Sequence, residues 1–174
     1  PFSNLKLIFI KIYHNPNSRF VSEAHIVHKN GVPNRMTIDL REVNKMVEDI
    51  AINLPDMETA FTKIGKAIIF SKIDLKKGYF QMMHQDENQD VYSFRGAGGR
   101  VFTPKRVSMG AKNAPHYFQN AMQNIFIDME NVIVWLDDIL IYSDNLNDHE
   151  QSMLKVINKF KDKNKDCVFY TFCY

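Results

Sequence analysis

The sequence predicts an α+β fold, in which strands and helices are mixed irregularly along 174 residues. Three observations lead to this prediction. Extended-looking segments flank a turn at residues 30–34, and helical spacing of apolar residues begins near Pro55 and again near Ala114. Strand-like apolar runs at residues 67–75 and 132–142 lie between and after these helices. No internal repeat imposes a more regular arrangement.

Composition limits the class of protein. Apolar residues make up 45% of the chain and charged residues 24%, which excludes disordered and collagen-like classes. The net charge of +2 permits a nucleic-acid partner without arguing for one. No apolar run reaches the roughly 18 residues of a membrane span, so no membrane partner is expected. The only two cysteines, Cys167 and Cys173, favour a reduced, intracellular setting, and do not distinguish a cytoplasmic particle from the nucleus.

The first elements are a hairpin and a helix. Residues 21–29 and 35–40 flank the turn residues of segment 30–34, which predicts a β-hairpin with a polar tip. A helix is expected from Pro55 to Gly65, because proline suits the first helical position and glycine ends helices. Its apolar stripe comprises Met57, Ala60, Phe61 and Ile64.

The middle of the chain predicts a strand, a second hairpin and a longer helix. The β-rich run 67–75 contains an aspartate next to its end. Residues 91–94 and 101–107 flank the loop RGAGGR, which predicts a hairpin. A helix is expected over residues 114–128, with one side formed by Tyr117, Phe118, Ala121, Met122, Ile125 and Phe126.

A last helix is expected after the apolar stretch 132–142. Asn147 can cap it, with Glu150 three residues further on. Its buried face would consist of Met153, Leu154, Ile157 and Phe160. The chain begins with a proline and ends in an apolar run that resembles half of a hairpin, so we expect both ends to be cut from a longer protein.

Two adjacent aspartates, Asp137 and Asp138, interrupt the apolar stretch VIVWLDDILIY. Taken alone, such a pair is typical of a solvated turn. Burying an ionised carboxylate without a partner costs several kcal/mol, and two neighbouring carboxylates also repel each other. A tight turn at residues 136–138 would expose both side chains, whereas a bound divalent cation would neutralise both.

A third carboxylate, Asp74, lies near the end of the run 67–75. If that strand is a neighbour of the 132–142 hairpin, Asp74 lies near Asp137 and Asp138. Three carboxylates at neighbouring strand ends form an oxygen-rich site suited to Mg²⁺ or Mn²⁺. Such sites carry out two-metal phosphoryl or nucleotidyl transfer. The adjacency of the strands is a structural assumption, because spacing along the chain does not establish it.

Four motifs, in order along the chain, resemble the reverse transcriptases of retroviruses and long-terminal-repeat retrotransposons, especially the gypsy type. RMTIDLREVN (35–44) resembles the fingers motif, and FSKIDLKKGYFQ (70–81) the first palm motif. FTPKRVSMGAKNAPHYFQNAM (102–122) is similar to the second palm motif. WLDDILIYS (135–143) is similar to the Y-x-D-D box and its following strand. The resemblance covers roughly residues 18–174.

The resemblance implies a polymerase palm, built as a ferredoxin-like antiparallel sheet with two helices, and a β-rich fingers subdomain. Residues 1–48 and 82–112 would form the fingers, and residues 49–81 and 113–174 the palm. The thumb and ribonuclease H regions that relatives place downstream are absent from the 174 residues. We therefore expect this stretch to carry the catalytic site but to polymerise weakly or not at all when isolated.

The resemblance also implies roles for individual residues. Asp74, Asp137 and Asp138 would be the catalytic triad that binds two Mg²⁺ ions, with Mn²⁺ as an alternative. Leu75 would take part in nucleotide binding, and its carbonyl would be a further metal ligand. Arg35 would bind the triphosphate of the incoming nucleotide, for which guanidinium geometry is well suited.

Four more residues match nucleotide-binding positions of the family. Lys29 would assist Arg35 from the hairpin. The ring of Tyr79 would lie under the sugar and exclude a 2′-hydroxyl, although without the motif it reads as a core aromatic. Met109 and Gly110 match the loop that lines the nucleotide pocket, where many relatives have Gln or Phe instead of methionine.

Other residues would contact template or primer. Sequence-independent phosphate contacts are expected from Arg95, Arg100, Lys105 and Arg106, with ordinary solubility as the alternative explanation. Trp135 stands where the family usually has tyrosine. It keeps a bulky aromatic ring near the primer but lacks the hydroxyl group.

The function implied is RNA-directed DNA polymerisation, in which a primer 3′-hydroxyl attacks the α-phosphate of a dNTP on an RNA or DNA template. The partners would be primer, template, dNTPs and the rest of a Pol polyprotein, with thumb, ribonuclease H and integrase. One alternative is a relict or domesticated fragment that binds nucleic acid or a protein without catalysis. A different palm-type nucleotidyltransferase is disfavoured by the ordered fingers motif.

Overall fold

The computed structural model describes residues 11–75, 78–163 and 169–173, which form two compact units. The first unit comprises the described residues up to Ile50 together with Tyr79–Ala114. The second comprises Ala51–Gly78 and the described residues from Pro115 onwards. Cys167, which favoured a reduced setting, lies outside the described residues. In the part of the chain that is described, every helix is too short or too polar to cross a bilayer.

The first unit is built on a five-stranded sheet. Its strands are β1 (Ile12–His14), β2 (Ser22–Lys29), β3 (Val32–Ile38), β5 (Phe94–Arg95) and β6 (Val101–Pro104), in the order β1-β6-β5-β2-β3. Neighbouring strands are antiparallel except for β2 and β5, which are parallel. Helix α1 (Arg41–Met46) follows β3.

The hairpin expected at the start of the chain is confirmed by the antiparallel pairing of β2 with β3. Its turn is shorter than segment 30–34. Asn30 and Gly31 both have positive φ angles, 53° and 76°, as in the two-residue turns that match strand twist. Val32 and Pro33 already belong to β3, and proline is tolerated there because β3 is an edge strand of its sheet.

The second hairpin is only partly as expected. Strands β5 and β6 pair across the loop RGAGGR, but Val91 and Tyr92 belong to a 3₁₀ helix, Asp86–Tyr92, and not to a strand. The prediction of a strand at 91–94 is therefore wrong for residues 91–93, and the strand begins at Phe94. The apolar core of this unit centres on Ile38, Leu40, Val43, Phe94, Ala111 and Ala114.

The second unit has a four-stranded antiparallel sheet and most of the helical residues. Its strands are β4 (Ile69–Leu75), β7 (Val132–Trp135), β8 (Asp138–Ser143) and β9 (Phe169–Cys173), in the order β7-β8-β4-β9. Helices α2 (Met57–Ile64), α3 (Ala114–Ile125) and α4 (Leu146–Lys163) accompany them. Two sheets with interspersed helices confirm the predicted α+β class.

The ends of two helices differ from the predictions. Asp56 caps α2 by accepting a hydrogen bond from the Thr59 backbone N–H at 2.8 Å, so Pro55 precedes the cap instead of opening the helix. Asn145 caps α4, because its Oδ1 accepts from the Asp148 N–H at 3.0 Å. Asn147, the expected cap, lies inside the first turn of the helix.

The buried faces of the helices also shift from the predicted stripes. Helix α4 buries His149, Ser152, Val156 and Phe160, whereas Leu154 is exposed. Phe61 on α2 and Tyr117 on α3 are exposed as well. Helix α3 ends at Ile125, not at residue 128. The core of this unit is centred on Ile73, Ile139, Ile141 and Val156, each at most 2% exposed.

Gly78 lies against the buried ring of Phe118 in the second unit. A Cβ atom at residue 78 would be 2.5 Å from the Phe118 Cζ, closer than real Cβ contacts allow. We expect Gly78→Ala to lower the stability of this unit by about 1–3 kcal/mol, because the buried ring has to move. The shift is measured from the midpoint of denaturant unfolding.

A matched control is Gly65→Ala at the end of α2. There a Cβ atom would be 3.5 Å from the nearest backbone oxygen, and Gly65 has a helical φ of −54°. Its unfolding midpoint should stay constant or rise slightly, because alanine restricts the unfolded chain. Equal midpoints for both variants would contradict the predicted overlap with Phe118.

Candidate functional site

The two adjacent aspartates lie where β7 turns into β8. Trp135 and Asp138 are the last cross-strand pair, and Leu136 and Asp137 form the two-residue turn between them. Leu136 has a φ of 51°, in the left-handed region that two-residue hairpin turns require. The expected turn is therefore present, with Asp137 at its tip and Asp138 as the first residue of β8, but both side chains are partly buried instead of exposed.

The strand that carries Asp74 is a direct neighbour of this hairpin. β4 runs antiparallel to β8, and Asp74 lies opposite Asp138 in the register. The backbone N–H of Leu75 donates to the carbonyl of Asp137 at 3.2 Å, which joins the end of β4 to the turn. The assumed adjacency of the two strands is thus confirmed, and the three carboxylates share one corner of the sheet.

Asp137 is in an unfavourable environment for a negative charge. Its Oδ1 atom is buried and has no hydrogen-bond partner among the described residues. Burial, and then the negative charges of Asp74 and Asp138, raise the pKa of its carboxyl group above the usual value. Such a group is stabilised by a cation brought close to its oxygen atoms.

The three carboxylates are not gathered around a common point. Among the described residues, no group of three or more His, Cys, Asp or Glu side chains is arranged to hold a metal ion. Instead, the Oδ2 atom of Asp138 lies 2.8 Å from the Lys72 Nζ, two residues before Asp74 on β4. Like charges repel, so ion pairing of one carboxylate with a lysine is the expected arrangement when no cation neutralises all three.

The residues present nevertheless fit a hard divalent cation. They offer carboxylate oxygens on neighbouring strand ends, and one buried oxygen lacks any other partner among the described residues. Oxygen donors of this kind are those that Mg²⁺ and Mn²⁺ prefer. The carbonyl of Leu75, at the end of β4, is placed one residue beyond Asp74.

Sequence reasoning assigned no role to Gln119, whose side chain contacts the turn. Its amide group is fully buried on α3 and forms hydrogen bonds with the backbone of Val134 and Leu136. A signal was available, because a glutamine inside the apolar side of a helix requires buried partners. Which backbone groups it contacts could be known only from the structure.

Except for Leu75, which ends β4 in the second unit, the predicted nucleotide-binding residues lie in the first unit. Arg35 is exposed on β3 opposite Val27, and its guanidinium group has no recorded partner among the described residues. Lys29 ends β2 opposite Val32 and is also exposed. Both positions are open to an anionic ligand, and their binding of triphosphate stays a prediction.

Tyr79 packs half-buried against the core of the first unit, which matches its alternative explanation as a core aromatic. Met109 is exposed, and Gly110 has a φ of 93°. The loop that contains both is held by Asn44, which donates to the Gly110 carbonyl at 2.8 Å and accepts from the Lys112 N–H at 3.0 Å. The nucleotide-binding roles of these residues stay predictions.

Arg95 and Arg106, which are predicted template contacts, have polar partners within the protein. Arg95 forms an ion pair with Glu23 at 3.3 Å. Arg106 is half-buried and donates to the backbone carbonyls of Phe80 and Gln81, at 3.1 and 2.9 Å. Arg106 thereby connects its own segment to the backbone at residues 80–81. This structural role could not be predicted from its position in the sequence.

The other two basic residues lie over aromatic rings. Arg100 lies 5.6 Å from the ring centre of Phe102, and Lys105 lies 5.6 Å from that of Tyr13. Cation–π contacts of this kind leave a charged group able to meet a phosphate. Trp135 is partly exposed at the end of β7, beside the turn. Contacts of all these side chains with template or primer stay predictions.

The comparisons with known proteins agree with the motifs. A family model described as reverse transcriptase (RNA-dependent DNA polymerase) matches residues 27–166. The chain is 34% identical over 132 residues to the retrovirus-related Pol polyprotein from transposon 297 of Drosophila melanogaster, covering 75% of this chain and 12% of that protein. It is 32% identical over 149 residues to the genome polyprotein of Petunia vein clearing virus (isolate Shepherd), covering 83% and 7%.

A solved structure shares the fold. The foamy viral protease–reverse transcriptase in complex with an RNA/DNA hybrid superposes with a TM-score of 0.72 at 21% identity, covering 86% of this chain and 20% of that one. This chain therefore spans a small part of the length of each of these three proteins. Because the family model matches well over half of its residues, the chain belongs to the reverse transcriptase (RNA-dependent DNA polymerase) family.

Proposed function

We propose that this chain carries the polymerase active site of an RNA-directed DNA polymerase within a retroelement Pol polyprotein. The observation that carries the proposal is that Asp74 lies opposite Asp138 in the register, beside Asp137, whose buried oxygen has no partner among the described residues. Membership of the reverse transcriptase family supports the same conclusion. The reaction is attack of a primer 3′-hydroxyl on the α-phosphate of a dNTP, with release of pyrophosphate.

Asp74, Asp137, Asp138 and the carbonyl of Leu75 would hold two Mg²⁺ ions, or Mn²⁺ in their place. When bound, such ions activate the attacking oxygen and neutralise charge on the leaving oxygen. The protein itself contributes a rigid arrangement. Strand pairing places Asp138 opposite Asp74. The hydrogen bond from the Leu75 N–H to the Asp137 carbonyl joins the turn to β4. Positioning and charge neutralisation account for most of the catalysis in such sites.

We further propose that the first unit is the fingers subdomain and the second unit the palm. In the first, Arg35 and Lys29 bind the triphosphate, Tyr79 excludes a ribose 2′-hydroxyl, and Met109 and Gly110 line the nucleotide pocket. Arg35 supports this assignment, because its guanidinium group is exposed and has no recorded partner among the described residues.

Primer and RNA or DNA template are the proposed nucleic-acid partners, contacted by Trp135 and by the basic residues Arg95, Arg100, Lys105 and Arg106. The foamy viral structure of the same fold holds an RNA/DNA hybrid, which is the class of substrate proposed here. The thumb, ribonuclease H and integrase of a Pol polyprotein would complete the protein. The low cysteine content favours an intracellular setting, in a cytoplasmic particle or the nucleus.

The proposal is tested by primer extension with the whole polypeptide that carries this chain, using a labelled DNA primer on an RNA template. We expect extension with Mg²⁺ or Mn²⁺ and its loss with EDTA. Absence of extension under all metal conditions, with retained binding of the primer–template, would instead support a non-catalytic nucleic-acid-binding fragment.

The ion pair between Lys72 and Asp138 predicts an effect on metal dependence. In this arrangement the ammonium group competes with a cation for the Asp138 carboxylate. Both side chains are about half exposed, so the pair is worth about 0–1 kcal/mol. We expect Lys72→Met to lower the Mg²⁺ concentration for half-maximal extension by about two- to fivefold.

The control is Lys45→Met, because Lys45 forms an exposed ion pair with Glu42 in the first unit. Its half-maximal Mg²⁺ concentration should match that of the unchanged protein. A higher Mg²⁺ requirement in Lys72→Met would show that Lys72 supports the site instead of competing with the ion.

A further inference from the structure

Gln119 is a polar side chain in a fully buried position of the second unit. It lies on α3 at 0% exposure, next to the buried ring of Phe118. An apolar residue of the same size would fill this position without the cost of desolvating an amide. A buried glutamine is therefore explained only by the groups with which it forms hydrogen bonds.

Those groups belong to the end of β7 and to the turn that carries Asp137. The Gln119 Nε2 donates to the carbonyl of Val134 at 2.9 Å, and the backbone N–H of Leu136 donates to the Gln119 Oε1 at 2.7 Å. β7 is an edge strand of its sheet, so its outward backbone groups have no neighbouring strand in the described sheet. The single amide satisfies one of them, the Val134 carbonyl, and also the N–H of Leu136 in the turn, so it forms hydrogen bonds on both sides of Trp135.

The second hydrogen bond acts on a conformation that the chain would otherwise avoid. Leu136 has a φ of 51°. Such a positive φ is disfavoured for every residue except glycine and, to a smaller degree, asparagine and aspartate. Asp137 follows directly, and its own carbonyl accepts from the Leu75 N–H. The direction of the Asp137 side chain therefore depends on the backbone angles that Gln119 helps to fix.

We propose that Gln119 is a positioning residue for the Asp137 carboxylate, acting through the backbone of the turn; its effect on catalysis rests on the proposed function. Gln119 on α3 forms a hydrogen bond with the Leu136 N–H of the turn, and the Leu75 N–H on β4 forms one with the Asp137 carbonyl. A displacement of about 1 Å at a catalytic group can lower a rate about 100-fold, so such support matters for the reaction.

The test compares Gln119→Met with Gln123→Met in the whole polypeptide. Methionine resembles glutamine in length but cannot replace either hydrogen bond. Gln123 lies one turn further along α3, and its amide donates to the carbonyl of Asn53 at 3.2 Å. Both variants lose a glutamine from the same helix, but only the first loses contacts with the turn.

Three quantities are measured. We expect Gln119→Met to lower kcat about 10- to 100-fold, to leave the KM for dNTP within about twofold, and to raise the Mg²⁺ concentration for half-maximal extension. The third quantity is the fluorescence of Trp135, which lies between the two hydrogen bonds. It is obtained by subtracting the emission of the same polypeptide with Trp135→Phe, because the rest of the polypeptide can contain further tryptophans. The Trp135 emission should shift in Gln119→Met and stay constant in Gln123→Met.

A second variant, Gln119→Glu, distinguishes positioning from simple packing. A protonated carboxylic acid can donate to the Val134 carbonyl and accept from the Leu136 N–H, whereas a carboxylate cannot donate. We therefore expect kcat and the Trp135 emission of this variant to approach those of the unchanged protein as pH falls. A role in packing alone would give no such pH-dependent recovery relative to the unchanged protein.

The inference is overturned if folded Gln119→Met keeps the kcat, Mg²⁺ dependence and Trp135 emission of the unchanged protein. If Gln119→Met does not fold, absence of pH-dependent recovery in Gln119→Glu overturns it. If the unchanged protein extends no primer under any metal condition, the proposed function fails. The Trp135 emission then still decides whether Gln119 positions the turn.

Discussion

Asp137→Asn is expected to reduce primer extension at least about 1,000-fold while leaving the fold intact. Asparagine keeps the shape of the side chain and one oxygen, but it removes the negative charge at the tip of the turn. Charge stabilisation in active sites of this kind contributes several kcal/mol, and each 1.36 kcal/mol corresponds to a factor of ten in rate. The expected loss therefore concerns kcat more than the KM for dNTP.

The same substitution should not lower the stability of the fold. Burial and the charges of Asp74 and Asp138 raise the pKa of Asp137, so the folded state binds its proton more tightly than the unfolded state. Stability from this group is present at low pH and falls as pH rises from the unfolded pKa through the folded one. A neutral asparagine removes this cost at neutral pH. We therefore expect an unfolding midpoint equal to or above that of the unchanged protein.

Both quantities are measured on the same preparation, by primer extension and by denaturant unfolding. The control is Asp144→Asn, which changes an exposed aspartate just after β8 and should alter neither. An unchanged extension rate in Asp137→Asn would show that this turn is not the catalytic site. A loss of both activity and stability would show that Asp137 has a structural role instead.

The sequence predicted the elements with strong periodicity better than their ends. The β2–β3 hairpin and the three longer helices of the second unit could be read from apolar spacing and turn residues. Helix starts depend on which side chain reaches a free backbone N–H. Asn145 and Asn147 are equally good capping residues by type, and only the structure shows that Asn145 accepts from Asp148.

The candidate site was predictable in its residues but not in its connections. Asp137 and Asp138 were predicted as site residues because two charges interrupt an apolar run. Asp74 was added because it lies near the end of the strand-like run 67–75. The contacts of Lys72 with Asp138 and of Gln119 with the turn depend on distances between different elements. Sequence spacing carries no information about those distances, so both contacts required the structure.

Arg35→Ala is expected to raise the KM for dNTP about 10- to 100-fold with a smaller change in kcat. Hydrogen bonds to a charged group contribute about 1.5–3 kcal/mol each, which corresponds to this range. The guanidinium group of Arg35 is exposed and has no recorded partner among the described residues. The other arginines have partners of their own: Asp39 for Arg41, Glu23 for Arg95, backbone carbonyls for Arg106, and aromatic rings for Arg19 and Arg100.

The matched control is Arg41→Ala, which removes an exposed arginine from the same unit. Because Arg41 is ion-paired with Asp39 at 2.6 Å, its loss should leave the KM for dNTP constant. Arg35→Lys should recover part of the affinity, since lysine keeps the charge but lacks the planar fork that binds phosphate oxygens in pairs. Equal KM values for Arg35→Ala and Arg41→Ala would mean that the triphosphate is bound elsewhere. A dNTP concentration series on the three variants decides between these outcomes, because a general loss of folding would lower the amount of active protein without raising KM.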